Sequence, residues 1–184
     1  MDDIVKAALL KWPHVPHCWG WLALDARGDW YMRDAQVQAA GAFPQSRGSR
    51  ILHDKLRAFI WRNYEADSSG TWFFQNGPQR VYVELEAAPW VWRLLPLEQT
   101  PPSGQLVSVR TPLDEPVQAF EAWLDDAGRL FLLTSHGLGL VHSLDMALAA
   151  DALEQGQWPL QGPLPFAQMP QRFGYRLSCV ADGA

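Results

Sequence analysis

The sequence predicts an α+β fold, a tandem duplication of a ββαββ-like unit with mostly antiparallel sheet and one helix per unit. Three observations predict it. Short runs of alternating apolar residues are punctuated by turn signals. Each half holds one stretch of helical periodicity with a capping residue before it. Like residues recur in the same order in both halves. The predicted organisation is an N-terminal helix and entry over 1–16, a first unit over 17–95, a Pro-rich linker over 96–104 and a second, diverged unit over 105–184 that shares a common core with the first.

Ile4 to Leu10 reads as a short amphipathic helix stopped by Pro13. Trp19 to Arg33 reads as a hairpin turning at Asp25-Ala26-Arg27-Gly28, where Asp accepts a turn N–H and Gly tolerates positive φ. Asp34 to Gly48 reads as a long connection. Ser49 to Tyr64 is the best helix, with Ser49 as its N-cap and Leu52, Leu56, Phe59, Ile60 and Asn63 on its buried face. Thr71 to Leu85 reads as a second hairpin around Asn76-Gly77, with Val81, Val83 and Leu85 on one face and Tyr82 and Glu84 on the other. Pro89 to Leu95 is a short apolar strand.

Beyond the linker, Val117 to Thr134 reads as a hairpin turning at Asp125-Asp126-Ala127-Gly128. Ser143 to Leu153 reads as a helix capped by Ser143, with Gly156 after its end. Gly162 to Pro170 reads as an irregular loop and Phe173 to Val180 as a last strand. The halves then align in order. Leu24-Asp25 with Gly28 matches Leu124-Asp125 with Gly128, Leu52-His53 matches Val141-His142, Trp72 matches Trp158, and Pro78-Gln79-Arg80 matches Pro170-Gln171-Arg172. Residues 19–85 are therefore expected to superpose on 120–180.

Phe74-Gln75-Asn76-Gly77-Pro78-Gln79-Arg80-Val81-Tyr82-Val83, with Asn63-Tyr64 before it and Ala88-Pro89-Trp90 after it, resembles a family of uncharacterised proteobacterial proteins. The resemblance covers roughly Trp19 to Leu95. It implies a bacterial origin and a cytoplasmic setting, and it implies no chemistry.

Composition narrows the function classes. The 184 residues carry a net charge of −5, with the cations scattered rather than striped, so nucleic acid is not an expected partner. No apolar run reaches membrane-spanning length, and the start, Met1-Asp2-Asp3, is acidic where a secretory signal is basic. The expected setting is the cytoplasm, with Cys18 and Cys179 as free thiols. His14, His17 and Cys18 form an H-x-x-H-C run without a second ligand pair, so no metal and no cofactor are expected. The ten tryptophans favour strands and large packed surfaces, some of them lining a groove.

No stretch carries a recognised catalytic pattern. Ser135-His136-Gly137-Leu138-Gly139-Leu140-Val141-His142 is Gly-rich before a helix but lacks the phosphate-binding spacings, and it reads as a strand-to-helix turn. Ser135 and His136 lack a nucleophile elbow. The acid pairs Asp114-Glu115 and Asp125-Asp126 fall in turns. The residues equivalent in both halves yet too polar for a core are His53, Arg80, His142 and Arg172. Each has an ordinary role in capping a helix or bridging strands. Together they are the candidate ligand-binding set, expected near a seam between the units. The favoured function is a non-enzymatic binding or interaction module using a Trp-lined surface there, for a protein partner or a small ligand. The alternative is a small-molecule enzyme with its site at the same seam. The sequence sets no oligomeric state.

Overall fold

A computed structural model describes residues 1–98 and 104–179. The middle of the expected linker, 99–103, lies outside the described residues. Helix α1 (Asp3–Lys11) leads to β1 (Cys18–Leu24), β2 (Trp30–Met32), α2 (Ala35–Ala40), β3 (Ser49–Arg50), α3 (Asp54–Arg62), β4 (Tyr64–Ala66), β5 (Trp72–Asn76) and β6 (Gln79–Leu85). These six strands form one sheet in the order β3-β2-β1-β6-β5-β4. Then come β7 (Trp90–Pro96), β8 (Val107–Arg110), β9 (Pro116–Val117), β10 (Ala119–Leu124), β11 (Leu130–Thr134) and β12 (Gly137–Val141). They form a second sheet in the order β10-β11-β12-β7-β8-β9. Two helices, α4 (Met146–Glu154) and α5 (Met169–Phe173), follow.

The two sheets have the same plan. Each is two antiparallel three-strand meanders joined by one parallel pair, β1 with β6 and β7 with β12. The α+β class, the duplication and the mostly antiparallel sheet are therefore present. The frame of the copy differs from the expected one. Among the described residues, 120–179 hold only three strands, so they do not superpose on 19–85. The repeat runs from β1–β6 to β7–β12. In that frame the partner of Asp125–Gly128 is the β4–β5 turn Asp67–Gly70, and Thr134 and Gly137 correspond to Asn76 and Gln79.

The reason for the slip is a turn used repeatedly. Asp25–Asp29, Asp67–Thr71, Thr111–Glu115 and Asp125–Arg129 all close with the first residue's N–H donating to the fifth residue's carbonyl. In each, the first side chain accepts the fifth residue's N–H. The fourth position is left-handed, filled by Gly28, Gly70, Gly128 and, in the third turn, Asp114 at φ 63°. A D-x-x-G signature that recurs within one unit cannot fix which copy matches which.

Several expectations change at the level of elements. Ser49 does not cap α3; Ser49–Arg50 pairs with β2, and the cap is His53. The long connection holds α2, whose cap Asp34 accepts from Val37 N–H at 2.9 Å. Gly137–Val141 is the central strand β12 rather than part of a Gly-rich turn, and Phe173 ends α5 instead of opening a strand. Pro89–Leu95 does not end the first unit, because β7 pairs with β12 and β8. The chain divides into unit 1 (1–25, 29–87 and 174–184) and unit 2 (26–28 and 88–173).

In unit 1 the core under α3 is aromatic. Trp30 lies edge-on to Trp61 and Tyr64, with centroids 4.8 and 5.2 Å apart, and Phe59 of α3 meets Phe74 of β5 at 5.5 Å. In unit 2, Trp90 and Trp92 stack at 5.3 Å, and their indole N–H groups donate to His136 O and Leu132 O. Burial of such rings is the main source of stability in each unit.

The β5–β6 turn has the expected two residues but is shifted by one from the Asn-Gly signal. Asn76 pairs with Gln79, so the two turn residues are Gly77 and Pro78, with Gly77 at φ 58°. Gly77→Val is expected to cost about 1 kcal/mol or more, because a β-branched residue at positive φ is strained. Urea unfolding of both proteins measures it, and equal midpoints would contradict it.

Candidate functional site

The strand β1 carries a bulge. Its register against β6 shifts between Cys18 and Leu22, and Gly20 sits there at φ 71°. The bulge throws Trp19 flat onto Tyr82 of β6, with centroids 3.8 Å apart and planes within 2°. His17 meets the same Tyr82 edge-on at 5.9 Å. Tyr82 in turn packs on Phe73, and the Arg80 guanidinium lies 4.3 Å over the Phe73 ring. Trp19 remains 46% exposed over the buried Tyr82 and Phe73, and Trp21, further along β1, is 46% exposed too. The result is a sheet face with an aromatic floor and a rim of Trp19, His17 and Arg80. Gln79 Nε2 donates to Pro16 O at 2.9 Å and so holds the entry segment beside this face.

A strap closes the other end of the face. Gly174 to Cys179 returns to unit 1, where Leu85 N–H donates to Leu177 O at 2.7 Å and Arg176 N–H to Gly70 O at 3.0 Å. Glu84, buried on the central strand, accepts from Ser178 Oγ, Cys179 N–H and Cys179 Sγ at 3.2, 3.2 and 3.0 Å. Cys179 Sγ accepts from Gly20 N–H at 3.1 Å. Burial, then the Glu84 charge, pushes the Cys179 thiol far above its ordinary range. It is a structural donor, not a nucleophile.

This gives a pH prediction. Unfolded Cys179 ionises from about pH 8.5 upward while the folded thiol keeps its proton. The unfolded state then binds fewer protons, so stability is complete below about pH 8.5 and falls above it, by up to about 1.4 kcal/mol per unit. Urea midpoints from about pH 7 to about pH 10 are expected to fall in wild type and to fall less in Cys179→Ser. Parallel profiles would rule out the buried thiol as the source.

The four sequence-derived candidates divide between the units. His53 and Arg80 belong to unit 1, His142 and Arg172 to unit 2. Both histidines cap helices through Nδ1, His53 accepting from Leu56 N–H at 3.3 Å and His142 from Leu144 N–H at 3.1 Å, at the one-turn 3-10 helix Ser143–Asp145 before α4. Ser143 is thus not the cap. Arg80 and Arg172 are not equivalent. Arg80 lies on β6 after a turn, whereas Arg172 lies on α5 with its guanidinium 5.8 Å from the Trp123 ring. The shared Pro-Gln-Arg tripeptide is a coincidence of sequence. The exposed Trp19 and Trp21 were missed as particular residues. The signal that could have found them is Gly20, a small residue interrupting an aromatic alternation.

Ser135 and His136 occupy the exposed β11–β12 turn, Oγ and Nδ1 3.2 Å apart, and among the described residues no carboxylate bonds to His136. Among the described residues no group of three His, Cys, Asp or Glu side chains is placed to hold a metal. Among them too, no helix is long and apolar enough to cross a membrane.

The family described as "Protein of unknown function (DUF2946)" has a sequence profile that matches residues 1–179. The chain belongs to that family. No curated protein matches it. Among solved structures, it is similar to a DUF1285 family protein from Silicibacter pomeroyi DSS-3, with TM-score 0.52, 12% identity and coverage of 82% of this chain and 84% of that one. It is also similar to a DUF1285 family protein from Shewanella baltica OS155, with TM-score 0.47, 17% identity and coverage of 71% and 91%. The first of these likenesses shows a common fold and nothing more.

Proposed function

We propose that this protein is a non-enzymatic interaction module and that the aromatic face of unit 1 is its docking surface for a protein partner. One observation carries the reading. Trp19, 46% exposed, lies flat on a buried Tyr82–Phe73 floor at a central strand of the sheet, and Trp21, equally exposed, is two residues along the same strand. Large aromatic side chains with little freedom left to lose, flanked by an arginine, are the residue types that dominate protein interfaces. The polar groups beside them, His17 and Arg80, are engaged with rings rather than with an acid or a nucleophile. A cytoplasmic setting belongs to the same reading, since Cys18 and Cys179 are free thiols.

Site-specific photo-crosslinking in cells tests it. A benzophenone amino acid at position 21 is expected to give one discrete covalent adduct. The same amino acid at position 55, on the exposed side of α3, serves as control. An adduct pattern identical at both positions, or none at position 21, would sink the proposal.

A further inference from the structure

Unit 2 contains a cleft of about 280 Å³ between the β8–β9 edge and the end of α4. Its walls carry four glutamines, Gln105, Gln118, Gln155 and Gln157, and its apolar part is Trp158 with Val109 and Val117. Among the described residues no charged side chain lines it, although charged residues make up 19% of the chain. From this composition we infer that the cleft is a binding site for a small neutral polyhydroxy compound, of the size of a monosaccharide.

The glutamines divide into two roles. Gln157 is spent on the wall. Its Oε1 accepts from Leu106 N–H at 2.8 Å and Val107 N–H at 3.1 Å, and its Nε2 donates to Val107 O at 2.8 Å. That triple contact ties the end of α4 to β8 and fixes the cleft's shape before any ligand arrives, which lowers the ordering cost of binding. Gln105 gives Nε2 to the same Val107 O at 2.9 Å and keeps its own amide oxygen as an acceptor. Gln118 and Gln155 are exposed, and among the described residues neither side chain has a hydrogen-bond partner. Each offers two donors and an acceptor.

Two backbone features aim these amides. β10 carries a register shift between Ala119 and Glu121, next to Gln118. Gly156 sits at φ 71°, turning the chain between Gln155 and Gln157. Amides of this kind match hydroxyl groups, which both donate and accept, without the desolvation cost of a charge. The buried Trp158 supplies the apolar contact that a sugar ring's C–H surface needs. Among the described lining residues a carboxylate or phosphate would meet no cation, and an ammonium group no acid. The volume lies at the lower end of small-molecule sites, which sets the ligand's size.

The test is a titration of the whole chain with D-glucose, D-galactose, D-ribose and glycerol, followed by side-chain amide and indole N–H signals in two-dimensional NMR. At least one compound is expected to move the Gln105, Gln118, Gln155 and Trp158 signals saturably, with a Kd of about 1 mM or tighter. Gln118→Leu with Gln155→Leu, both at exposed positions, is expected to weaken that binding at least about tenfold. D-Glucuronate and D-glucosamine are expected to bind at least about tenfold more weakly than the neutral ring. Shifts absent for all four compounds, unchanged binding in the double variant, or equal binding of the charged analogues would each overturn the assignment.

Discussion

Asp145→Ala is expected to lower the stability of unit 2 by about 3 kcal/mol, because it removes three hydrogen bonds at once and leaves a buried donor orphaned. Asp145 is 5% exposed and precedes α4. Its carboxylate accepts from Arg93 Nε at 2.6 Å, Arg93 Nη2 at 3.0 Å and Leu94 N–H at 3.0 Å, which pins the helix start to β7. The Arg93 side chain is 45% exposed and rehydrates when its partner goes, so most of the cost comes from the Leu94 N–H. Asp145→Asn, which retains an acceptor, is expected to cost about half as much. Urea unfolding measures both, and equal losses would remove the distinction between charge and satisfaction. The carboxyl also couples to pH. Burial raises its pKa, but the Arg93 hydrogen bonds, the Leu94 N–H and the Arg93 charge outweigh it and hold it below the ordinary carboxylate range. A depressed pKa stabilises at pH above the unfolded value of about 4, and that contribution disappears as pH falls through the folded value. Asp145→Asn is expected to lose that part of the acid limb.

The second large effect concerns a residue with no side chain. Gly139→Ala is expected to destabilise by about 3 kcal/mol, at the upper end for an overpacked core. A Cβ at Gly139 would fall on Trp92 Nε1 and Trp92 Cε2 and lie 2.7 Å from Trp90 Cβ. Gly139 sits opposite Trp90 in the parallel pair, and its bare backbone is what lets the two indoles lie across β12. Relief would need Trp92 to turn, which breaks its N–H bond to Leu132 O. A lower melting temperature is expected together with a changed near-ultraviolet tryptophan dichroism. A variant that melts like wild type would show that the indole stack is not set by this glycine.

These residues show what the sequence makes legible. Hairpins announced by Asp-x-x-Gly and, one residue out of register, by Asn76-Gly77 could be read directly, because turn chemistry is local. So could the existence of α3, although of its expected buried face Leu52 precedes the helix and Leu52 and Leu56 are exposed, while Ile60 is buried. The strand β12 could not, since Gly137-Leu138-Gly139-Leu140-Val141 looks like a flexible turn until Trp90 and Trp92 are laid across it. β3 escaped for a similar reason, its two residues acquiring strand geometry only by pairing with β2. The duplication was visible, but its frame depends on which strands pair in parallel, a long-range fact that no local signal carries. Among candidate site residues, polarity and repetition selected His53 and His142, which are helix caps. The aromatic rim at Trp19 depends on the bulge at Gly20 and on pairing with β6, sequence positions too distant for local patterns to join.

The strap from Gly174 to Cys179 sets an order of events during synthesis. Strands β1 to β6 leave the ribosome early, yet the Leu85 N–H and the Glu84 carboxylate find their partners only at Leu177, Ser178 and Cys179. Every residue of the second sheet is made in between. Throughout that interval a nascent first sheet holds a buried-type carboxylate and an unpaired central N–H open to water, on the face where Tyr82 and Phe73 lie. The first unit to be made is thus the last to be finished, and a chain halted anywhere before Cys179 lacks the residue that packs with Tyr82 and Phe73 in the complete one.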